Sequence, residues 1–390
     1  MACQSSYPSS NFPWRGSWRS TYLKLSTSQT PSPDCSRLFS DTLHRPFYCA
    51  HISLDPYVTN IPARNRIARL PDLSPEEFRE KWTQTPFILT EPVKKWPVYG
   101  DWSVESLLAR YGDTVFRAEA VDWTFNTYVD YMRNNSDEKP LYLFDRDFVS
   151  KMGLHDEAYW PPACFGEDLF SVLGDDRPDR RWLIIGPARS GSVFHKDPNA
   201  TSAWNAVLAG SKYWIMFPST SKLSTPPGVF ISSDQSEVTC PLSIAEWMIC
   251  FHAEARKTAG CLEGICGEGE VMHVPSGWWH LVVNLDAAIA ITQNFVPQGH
   301  LSSVLDFMSN KADQVSGFRR DMDDPYHRFV DRLHQSHPSL LHHALHELES
   351  SNGAKKRKWD EVVHGPVQQN DNQHVEFSFG FGDDSDAEVP

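Results

Sequence analysis

The central part of the chain most constrains its fold, because it carries many short apolar runs separated by turns that contain Gly or Pro. These runs extend from Arg181 to Phe295. Many short strands joined by such turns favour a barrel or a double-sheet jelly roll. We therefore predict a mainly β central region with flanking helices.

Individual strands can be assigned within this region. RWLIIGP predicts one strand, and AWNAVLAGSKYWIMFP predicts a hairpin that turns at residues 209–211. VMHVP, WHLVVNL and AIAITQNFV predict three more strands. A polar segment with one helical part, SIAEWMICFHAEA, interrupts them at residues 219–269. We interpret that segment as an insertion on the barrel.

The flanking sequence predicts four further regions. Residues 65–180 show α+β patterns, beginning with a capping box at Ser74, and residues 298–350 carry apolar residues at helical spacing. Residues 1–64 are rich in Ser, Pro and Thr around two aromatic patches, and we expect them to be irregular and to dock on the core. Residues 351–390 predict a disordered tail with a basic cluster and a sparse acidic end.

Composition excludes several classes of protein. The formal net charge of -14 argues against a general nucleic-acid binder, which needs a basic face. No apolar run reaches the roughly 18 residues that a membrane span requires. The cysteines form no CxxC pair and follow no secretory signal, so we expect reduced thiols in an intracellular protein. They are Cys3, Cys35, Cys49, Cys164, Cys240, Cys250, Cys261 and Cys266.

Two strand segments carry residues that can bind a metal. His195 and Asp197 are two positions apart, so on an extended chain both side chains point to the same side while Lys196 points away. His280 lies on a later strand of the same β region. Two imidazoles and one carboxylate form the facial triad that holds non-haem Fe(II) and leaves coordination positions open. We predict such a site at His195, Asp197 and His280.

Other histidines are alternative candidates. His273 lies seven residues before His280, and on an unbroken strand the two would point to opposite faces. His342 and His346 have the i, i+4 spacing of some zinc sites on helices, but no HExxH glutamate follows the first. We interpret those two as solvated helix residues.

An Fe(II) site of this kind activates O2 only with a co-substrate that supplies two further electrons, and 2-oxoglutarate does so while losing CO2. Its far carboxylate needs a cation and polar partners inside the barrel. Lys212 precedes an apolar strand and points either to the rim or inward to an anion. The candidate polar partners on neighbouring strands are Asn205, Tyr142, Thr292 and Asn294.

Two segments, GPARSGSVFHKDPNATSAWNAVLAGSKYWIMFP and VPSGWWHLVVNLDAAIAITQNF, resemble the JmjC (jumonji-C) family of Fe(II)/2-oxoglutarate dioxygenases. HxD, SAWN, the strand lysine, GWWH and ITQNF recur in the order of that family. The chain is most similar to the protein-hydroxylase branch of phosphatidylserine-receptor-type jumonji proteins. The resemblance implies a double-stranded β-helix, the cupin-like jelly roll, flanked by helices.

The resemblance also implies roles for individual residues. Family positions that match the predicted triad bind iron. Positions that match Lys212, Asn205, Tyr142, Thr292 and Asn294 surround the co-substrate. Ser192 stands where similar family members carry threonine, and it keeps the hydroxyl.

The chain departs from its relatives outside these segments. Trp14–Leu25 resembles the segment that follows the F-box in fungal and plant F-box/JmjC fusions, but no F-box sequence precedes it here. A basic cluster that some relatives carry is replaced by the mixed sequence DRDFVSKMGLHDEAYW. The identity of the substrate therefore does not transfer with the fold.

We expect a dioxygenase that uses Fe(II), 2-oxoglutarate and O2 to hydroxylate a protein side chain, with lysine first. Hydroxylation of an N-methyl carbon on lysine or arginine is the first alternative, because the product loses its methyl group and the enzyme is then a demethylase. A non-catalytic cupin-like binding module is the second alternative.

The sequence also suggests partners and a location. An acidic protein suits a basic protein or peptide substrate, and the helices after Leu301 offer a homodimer interface. The run Lys355, Lys356, Arg357 and Lys358 favours a nuclear location over a cytoplasmic one.

Overall fold

The structure is a computed structural model that describes residues 52–59, 66–219, 225–232, 237–241 and 243–350. The predicted N-terminal patch before residue 52 and the tail with its basic cluster lie outside the described residues. The chain divides into two compact units, Met1–Ala344 and Leu345–Pro390. In the second unit, residues 345–350 are helical.

The strands lie in the first unit and concentrate where the apolar runs predict them. In chain order they are β1 Ala68–Leu70, β2 Phe87–Leu89, β3 Val115–Ala118, β4 Val121–Thr124, β5 Leu143–Asp145, β6 Arg181–Gly186, β7 Gly191–His195, β8 Ser202–Ala209, β9 Lys212–Phe217, β10 Phe230–Ile231, β11 Val238–Thr239, β12 Leu262–Cys266, β13 Val271–Val274, β14 Trp279–Asn284 and β15 Ala288–Phe295.

Two sheets build the barrel. One sheet has the order β1-β2-β13-β8-β15-β6-β5-β3-β4, and the other has the order β12-β9-β14-β7. From β6 to β9 and from β12 to β15, successive strands alternate between the two sheets, as they do in a double-stranded β-helix. This confirms the predicted fold class, a jelly roll flanked by helices.

The predicted hairpin at residues 209–211 is wrong. β8 pairs with β13 and β15, whereas β9 pairs with β12 and β14, so the chain passes from one sheet to the other between them. Gly210 supports this tight passage with a φ of 77°, which a residue with a side chain rarely adopts. A glycine turn between two apolar strands fits both a hairpin and a connection between sheets, and only the strand partners distinguish them.

The alternation of side chains separates a polar barrel interior from two apolar outer faces. On β8, Trp204 packs into the aromatic core outside the larger sheet, while Ala203 and Val207 face the interior. On β9, Trp214 faces the same interior and Tyr213 packs on the outside of the smaller sheet. The interior therefore receives every second residue of each strand.

The helices cover the outer faces. They are α1 Asp55–Val58, α2 Pro75–Glu77, α3 Val104–Tyr111, α4 Phe125–Asn134, α5 Phe148–Lys151, α6 Ile244–Ala255, α7 Leu301–Asn310 and α8 Pro325–Ser336, followed by helical residues 338–344. Short 3-10 helices connect them, and a π-helix, Phe78–Trp82, continues α2. The predicted cap is present, since Ser74 accepts a hydrogen bond from the Glu77 amide.

The outer face of the smaller sheet is covered by α6, which lies inside the predicted insertion. Trp247, Met248 and Phe251 of this helix pack with Phe194 and Phe217 of the sheet. The end of the predicted insertion differs from expectation, because β12 pairs with β9 as an edge strand of the barrel. The interruption that the structure shows is therefore shorter than residues 219–269. Among the described helices, none combines the length and apolar character needed to cross a membrane.

Candidate metal centre

Two histidines face each other across paired strands at one end of the barrel. His195 ends β7, and its Cα partner on the neighbouring strand β14 is His280. The centroids of the two imidazole rings lie 4.2 Å apart, at an interplanar angle of 54°. The register of this strand pair thus brings together two residues that are 85 positions apart in the sequence.

Backbone carbonyls orient both rings. His195 Nδ1 lies 2.8 Å from the Val193 carbonyl oxygen, and His280 Nδ1 lies 3.1 Å from the Trp278 carbonyl oxygen. Since a carbonyl only accepts, each Nδ1 carries the proton and each Nε2 keeps its lone pair. This is the arrangement that supporting hydrogen bonds impose on metal-binding histidines.

Asp197 completes the cluster just after β7 ends. Ligand atoms of His195, Asp197 and His280 all lie within 4.8 Å of one another, and no other group of this kind occurs in the described part of the chain. Asn294, on β15, donates through Nδ2 to Asp197 Oδ1 at 3.2 Å. The structure therefore brings all three predicted ligands to one point.

The donor set fits a divalent cation. Asp197 Oδ2 is buried and has no hydrogen-bond partner among the described residues. Burial raises the pKa of this carboxyl, an effect that the nearby His195 opposes. A buried carboxylate oxygen without a donor is costly unless a cation binds it. Two neutral imidazoles and one carboxylate match the ligands of Fe(II) in facial-triad sites.

The loop that carries Asp197 has an unusual backbone. Asn199 and Ala200 have φ values of 54° and 53°, in the left-handed region. Asn199 is buried and makes two hydrogen bonds to the Ser316 backbone: its Nδ2 donates to the carbonyl at 2.9 Å, and its Oδ1 accepts from the amide at 3.0 Å. Ser276 also donates to the Ala200 carbonyl at 2.6 Å. These contacts fix the loop beside the metal ligand.

A buried lysine lies at the other end of the barrel interior. Lys212 Nζ donates to the Tyr142 hydroxyl oxygen and to Asn284 Oδ1, at 2.7 Å each. Its side chain is fully buried. No carboxylate pairs with it among the described residues, and burial lowers its pKa to about 7. An ammonium has three donors, so one remains for an anion.

Asn284 is a residue of this polar pocket that the sequence analysis missed. Besides accepting from Lys212, its Nδ2 donates to Ser190 Oγ at 3.0 Å. A signal was available, because positions 280, 282 and 284 share one face of β14 and His280 was already assigned to the interior.

The other predicted co-substrate residues lie along the same interior. Asn205 is buried, and its Oδ1 has no hydrogen-bond partner within the described residues. Thr292 is its Cα partner on β15 and donates to the Trp204 carbonyl at 2.9 Å. Asn294 bridges Asp197 and Thr201. Ser192 pairs with Val282 on β14.

The alternative histidines lie away from this centre. His273 is buried on the outer side of the larger sheet, with its ring against Phe78, Phe87 and Phe165. His342 and His346 are both exposed. None of the three belongs to a cluster of metal-binding side chains in the described residues.

Comparison with known proteins identifies relatives of the chain. Residues 182–295 match the family model described as JmjC domain, hydroxylase. The chain is 38% identical over 365 residues to the arginine-specific demethylase JMJ22 of Arabidopsis thaliana, covering 90% of this chain and 71% of that protein.

Two further relatives match a smaller share. The chain is 33% identical over 298 residues to the lysine-specific demethylase JMJ21 of Arabidopsis thaliana, covering 73% of this chain and 31% of that protein. It is 34% identical over 252 residues to the bifunctional arginine demethylase and lysyl-hydroxylase psr-1 of Caenorhabditis elegans, covering 60% and 62%. The chain thus spans less than two thirds of these two proteins.

Proposed function

The chain belongs to the JmjC hydroxylase family, and on this basis we propose that it is an Fe(II)- and 2-oxoglutarate-dependent oxygenase that acts on a protein side chain. One observation carries the proposal. The barrel interior holds a cluster of two histidines and one aspartate at one end and a buried lysine without a carboxylate partner at the other.

In this proposal His195, Asp197 and His280 hold the iron. The two backbone carbonyls fix the proton on each Nδ1, so both imidazoles offer Nε2 as neutral ligands. Asn294 orients Asp197 through Oδ1 and leaves the buried Oδ2 for the cation.

The far end of the interior binds the co-substrate. Lys212 pairs with the far carboxylate of 2-oxoglutarate, while Tyr142 and Asn284 hold its ammonium in place. Asn205, Thr292, Asn294 and Ser192 complete the polar surroundings. Burial excludes water, which strengthens the contact between ammonium and carboxylate.

When bound, the iron allows one O2 to convert 2-oxoglutarate to succinate and CO2 while a substrate C–H bond becomes C–OH. The protein positions the reactants relative to one another and excludes solvent. Which C–H bond is presented decides the outcome. A side-chain carbon of lysine or arginine gives a hydroxylated residue, whereas an N-methyl carbon gives an unstable hemiaminal and loss of the methyl group.

The relatives' names support a protein substrate that carries arginine or lysine. We propose, in addition, a basic peptide context, because the chain has a formal net charge of -14. A nuclear location through the basic run at residues 355–358 and a homodimer through the helices after Leu301 remain proposals of the same kind. Gel filtration that gives only monomer at micromolar concentration would exclude the dimer.

Succinate release tests the proposed function. Anaerobically iron-loaded protein is mixed with 2-oxoglutarate and O2, without a peptide, because oxygenases of this kind turn over slowly in its absence. We expect succinate from the wild type and none above background from His195→Ala. The matched control is His342→Ala, which removes an exposed histidine and should match the wild type.

Two results would contradict the proposal. Wild-type protein that binds no Fe(II) and releases no succinate would indicate a cupin-like binding module. Equal succinate from the wild type and His195→Ala would show that the cluster does not hold the iron.

A further inference from the structure

The larger sheet continues beyond the barrel, and two aromatic residues lie on its barrel-side face where it leaves. β5, β3 and β4 extend the sheet past β6. Phe144 of β5 stacks on Trp182 of β6, with ring centroids 5.4 Å apart and an interplanar angle of 27°. Phe144 is 39% exposed, although most large apolar side chains of the described residues are buried.

The register places this pair on the two strands next to β15, which carries a residue of the metal centre. Trp182 is the Cα partner of Thr292 on β15. Two residues further along the same face of β15 is Asn294, which donates to Asp197. Trp182 therefore lies one strand away from the strand that carries Asn294, and Phe144 lies two strands away on the same face.

The same face also leads to the co-substrate pocket. Phe144 is paired with Ile184, and Tyr142, two residues earlier, contacts Lys212. The row from Tyr142 to Phe144 to Trp182 thus begins beside the buried ammonium and runs along the barrel-side face, where Phe144 is exposed and Trp182 is half-buried. The exposed ring of Phe144 is open to a substrate side chain on this face.

We propose that Phe144, backed by Trp182, binds the cationic group of the substrate side chain and favours the flat guanidinium of arginine over the ammonium of lysine. This inference rests on the proposed function. The face of an aromatic ring carries negative potential and attracts cations. A guanidinium stacks on such a face through its own plane, whereas an ammonium is a compact and strongly hydrated point charge.

Neighbouring charges do not replace the aromatic contact. Arg117, on β3, is paired with Asp122 across the adjacent strand pair at 2.9 Å. Asp145 is buried on the opposite side of β5 and pairs with Lys151 at 2.5 Å. The carboxylates of Asp122 and Asp145 are therefore already paired, and we assign the attraction for the substrate cation to the ring of Phe144.

Peptide kinetics test this assignment. The probes are glycine-serine peptides with one central residue: N-methylarginine, N-methyllysine or the neutral isostere citrulline. In wild-type protein we expect the arginine peptide to have the lowest KM, and citrulline to bind about fivefold more weakly. Phe144→Leu should raise the KM for the arginine peptide about fivefold, and Phe144→Tyr, which keeps the ring, should restore it.

The matched control is Trp160→Leu. Trp160 is equally exposed, at 40%, but lies by Trp96 on the outer side of the sheet, so its loss should leave both KM and succinate release unchanged. A KM for the arginine peptide that is the same in Phe144→Leu and wild type would overturn the inference. So would equal binding of arginine and citrulline peptides to wild-type protein, a measurement that needs no variant.

Failure of the proposed function gives a different result. If wild-type protein releases no succinate with 2-oxoglutarate and O2, then the oxygenase proposal fails before any peptide is compared. If succinate is released and only the ring-dependent difference is missing, then the aromatic contact alone is excluded.

Discussion

The barrel interior and the aromatic core outside the larger sheet place two buried histidines in opposite roles. His280 faces the barrel interior, seven residues after His273, which faces outward. Both side chains are buried, and burial lowers the pKa of both imidazoles. The chemistry around them differs.

His273 is enclosed by aromatic rings and is part of the core. Its nearest ring is Phe87, with centroids 4.8 Å apart, and its two nitrogens lie 3.4 Å from the Ala203 and Thr83 carbonyl oxygens. His280 instead faces His195 and a carboxylate oxygen that lacks a partner among the described residues. The difference shows that an unpaired buried carboxylate oxygen beside two imidazoles marks the site, whereas burial of a histidine alone does not.

Replacing each histidine by alanine tests this comparison most severely. His280→Ala should lower Fe(II) affinity by more than about 100-fold, because even the loss of a supporting partner costs 10- to 100-fold. Its melting temperature should change little. His273→Ala should keep Fe(II) affinity and lower the free energy of unfolding by roughly 2–4 kcal/mol through a cavity in the core. Metal titration and calorimetry measure the two effects.

The comparison fails if the two variants behave alike. Loss of metal affinity in His273→Ala would mean that the aromatic core itself maintains the cluster. A large drop in melting temperature for metal-free His280→Ala would mean that this histidine is a core residue as well.

Lys212→Met tests whether Lys212 binds the co-substrate or stabilises the fold. Losing a charged, buried partner should weaken 2-oxoglutarate binding on the order of 100-fold. The melting temperature should hold or rise, because methionine removes the cost of burying an ammonium. Calorimetric titration of 2-oxoglutarate into the metal-loaded protein measures the affinity. Unchanged affinity would exclude the lysine from the co-substrate site.

The pH dependence of 2-oxoglutarate affinity also tests the role of Lys212. In the folded protein without an anion the pKa of Lys212 is about 7, and only the ammonium form pairs with a carboxylate. The groups around it, Tyr142, Asn284 and Cys266, carry no charge near this pH, since burial raises the pKa of Tyr142 and of Cys266. Affinity for 2-oxoglutarate should therefore fall as pH rises above 7, and Lys212→Met should remove this dependence.

The metal cluster could be predicted from sequence because its signals are local. The spacing of His195 and Asp197 gives a common direction. The spacing of His273 and His280 does not decide their faces, because they lie on the separate strands β13 and β14 of different sheets. The fold class followed from the strand pattern. These inferences need the period of an extended chain, the preference of Fe(II) for its ligands and, for His280, the resemblance to the JmjC family.

Other features depend on partners that no local pattern reveals. The turn at Gly210 did not show that β8 and β9 belong to different sheets. β12, with Gly264 at its centre, reads as a polar segment until it pairs with β9. The contact of Asn199 with Ser316 joins residues 117 positions apart.

Asn199 tests how much the metal end depends on such a distant contact. Asn199→Ala removes both hydrogen bonds to the Ser316 backbone, and alanine is less tolerant of the left-handed conformation. We expect Fe(II) affinity to fall about tenfold, at the lower end of the effect of a supporting partner. Glycine tolerates the left-handed backbone but lacks the hydrogen bonds to the Ser316 backbone, so Asn199→Gly separates the loss of these bonds from backbone strain.

The control for this effect is an exposed asparagine with a hydrogen bond inside its own helix. Asn310→Ala removes a side chain that donates to Asp306, and the metal affinity of this variant should equal that of the wild type. Wild-type affinity in both Asn199 variants would show that the loop needs no support from the C-terminal segment.

Acid titration tests the aromatic core. Burial lowers the pKa of His273 from its ordinary 6.5 to about 3 in the folded protein. The unfolded chain therefore binds a proton first as the pH falls. The stabilising contribution is complete above pH 6.5 and is lost between about pH 6.5 and 3, with a slope of up to about 1.4 kcal/mol per pH unit. His300, with a pKa lowered to about 4, adds to the same slope.

Replacing the His273 imidazole by an aromatic ring that does not titrate separates the acid-dependent contribution of His273 from that of the metal centre. His273→Phe keeps an aromatic side chain among its phenylalanine neighbours, so the free energy of unfolding should depend less on pH between 6.5 and 4, whatever its absolute value. Denaturant unfolding of metal-free protein across this range gives the slope, and the exposed His342→Gln should match the wild type. Parallel curves for wild type and His273→Phe would mean that His273 titrates alike in the folded and unfolded protein, and the contrast between the barrel interior and the outer aromatic core would then rest on the metal centre alone.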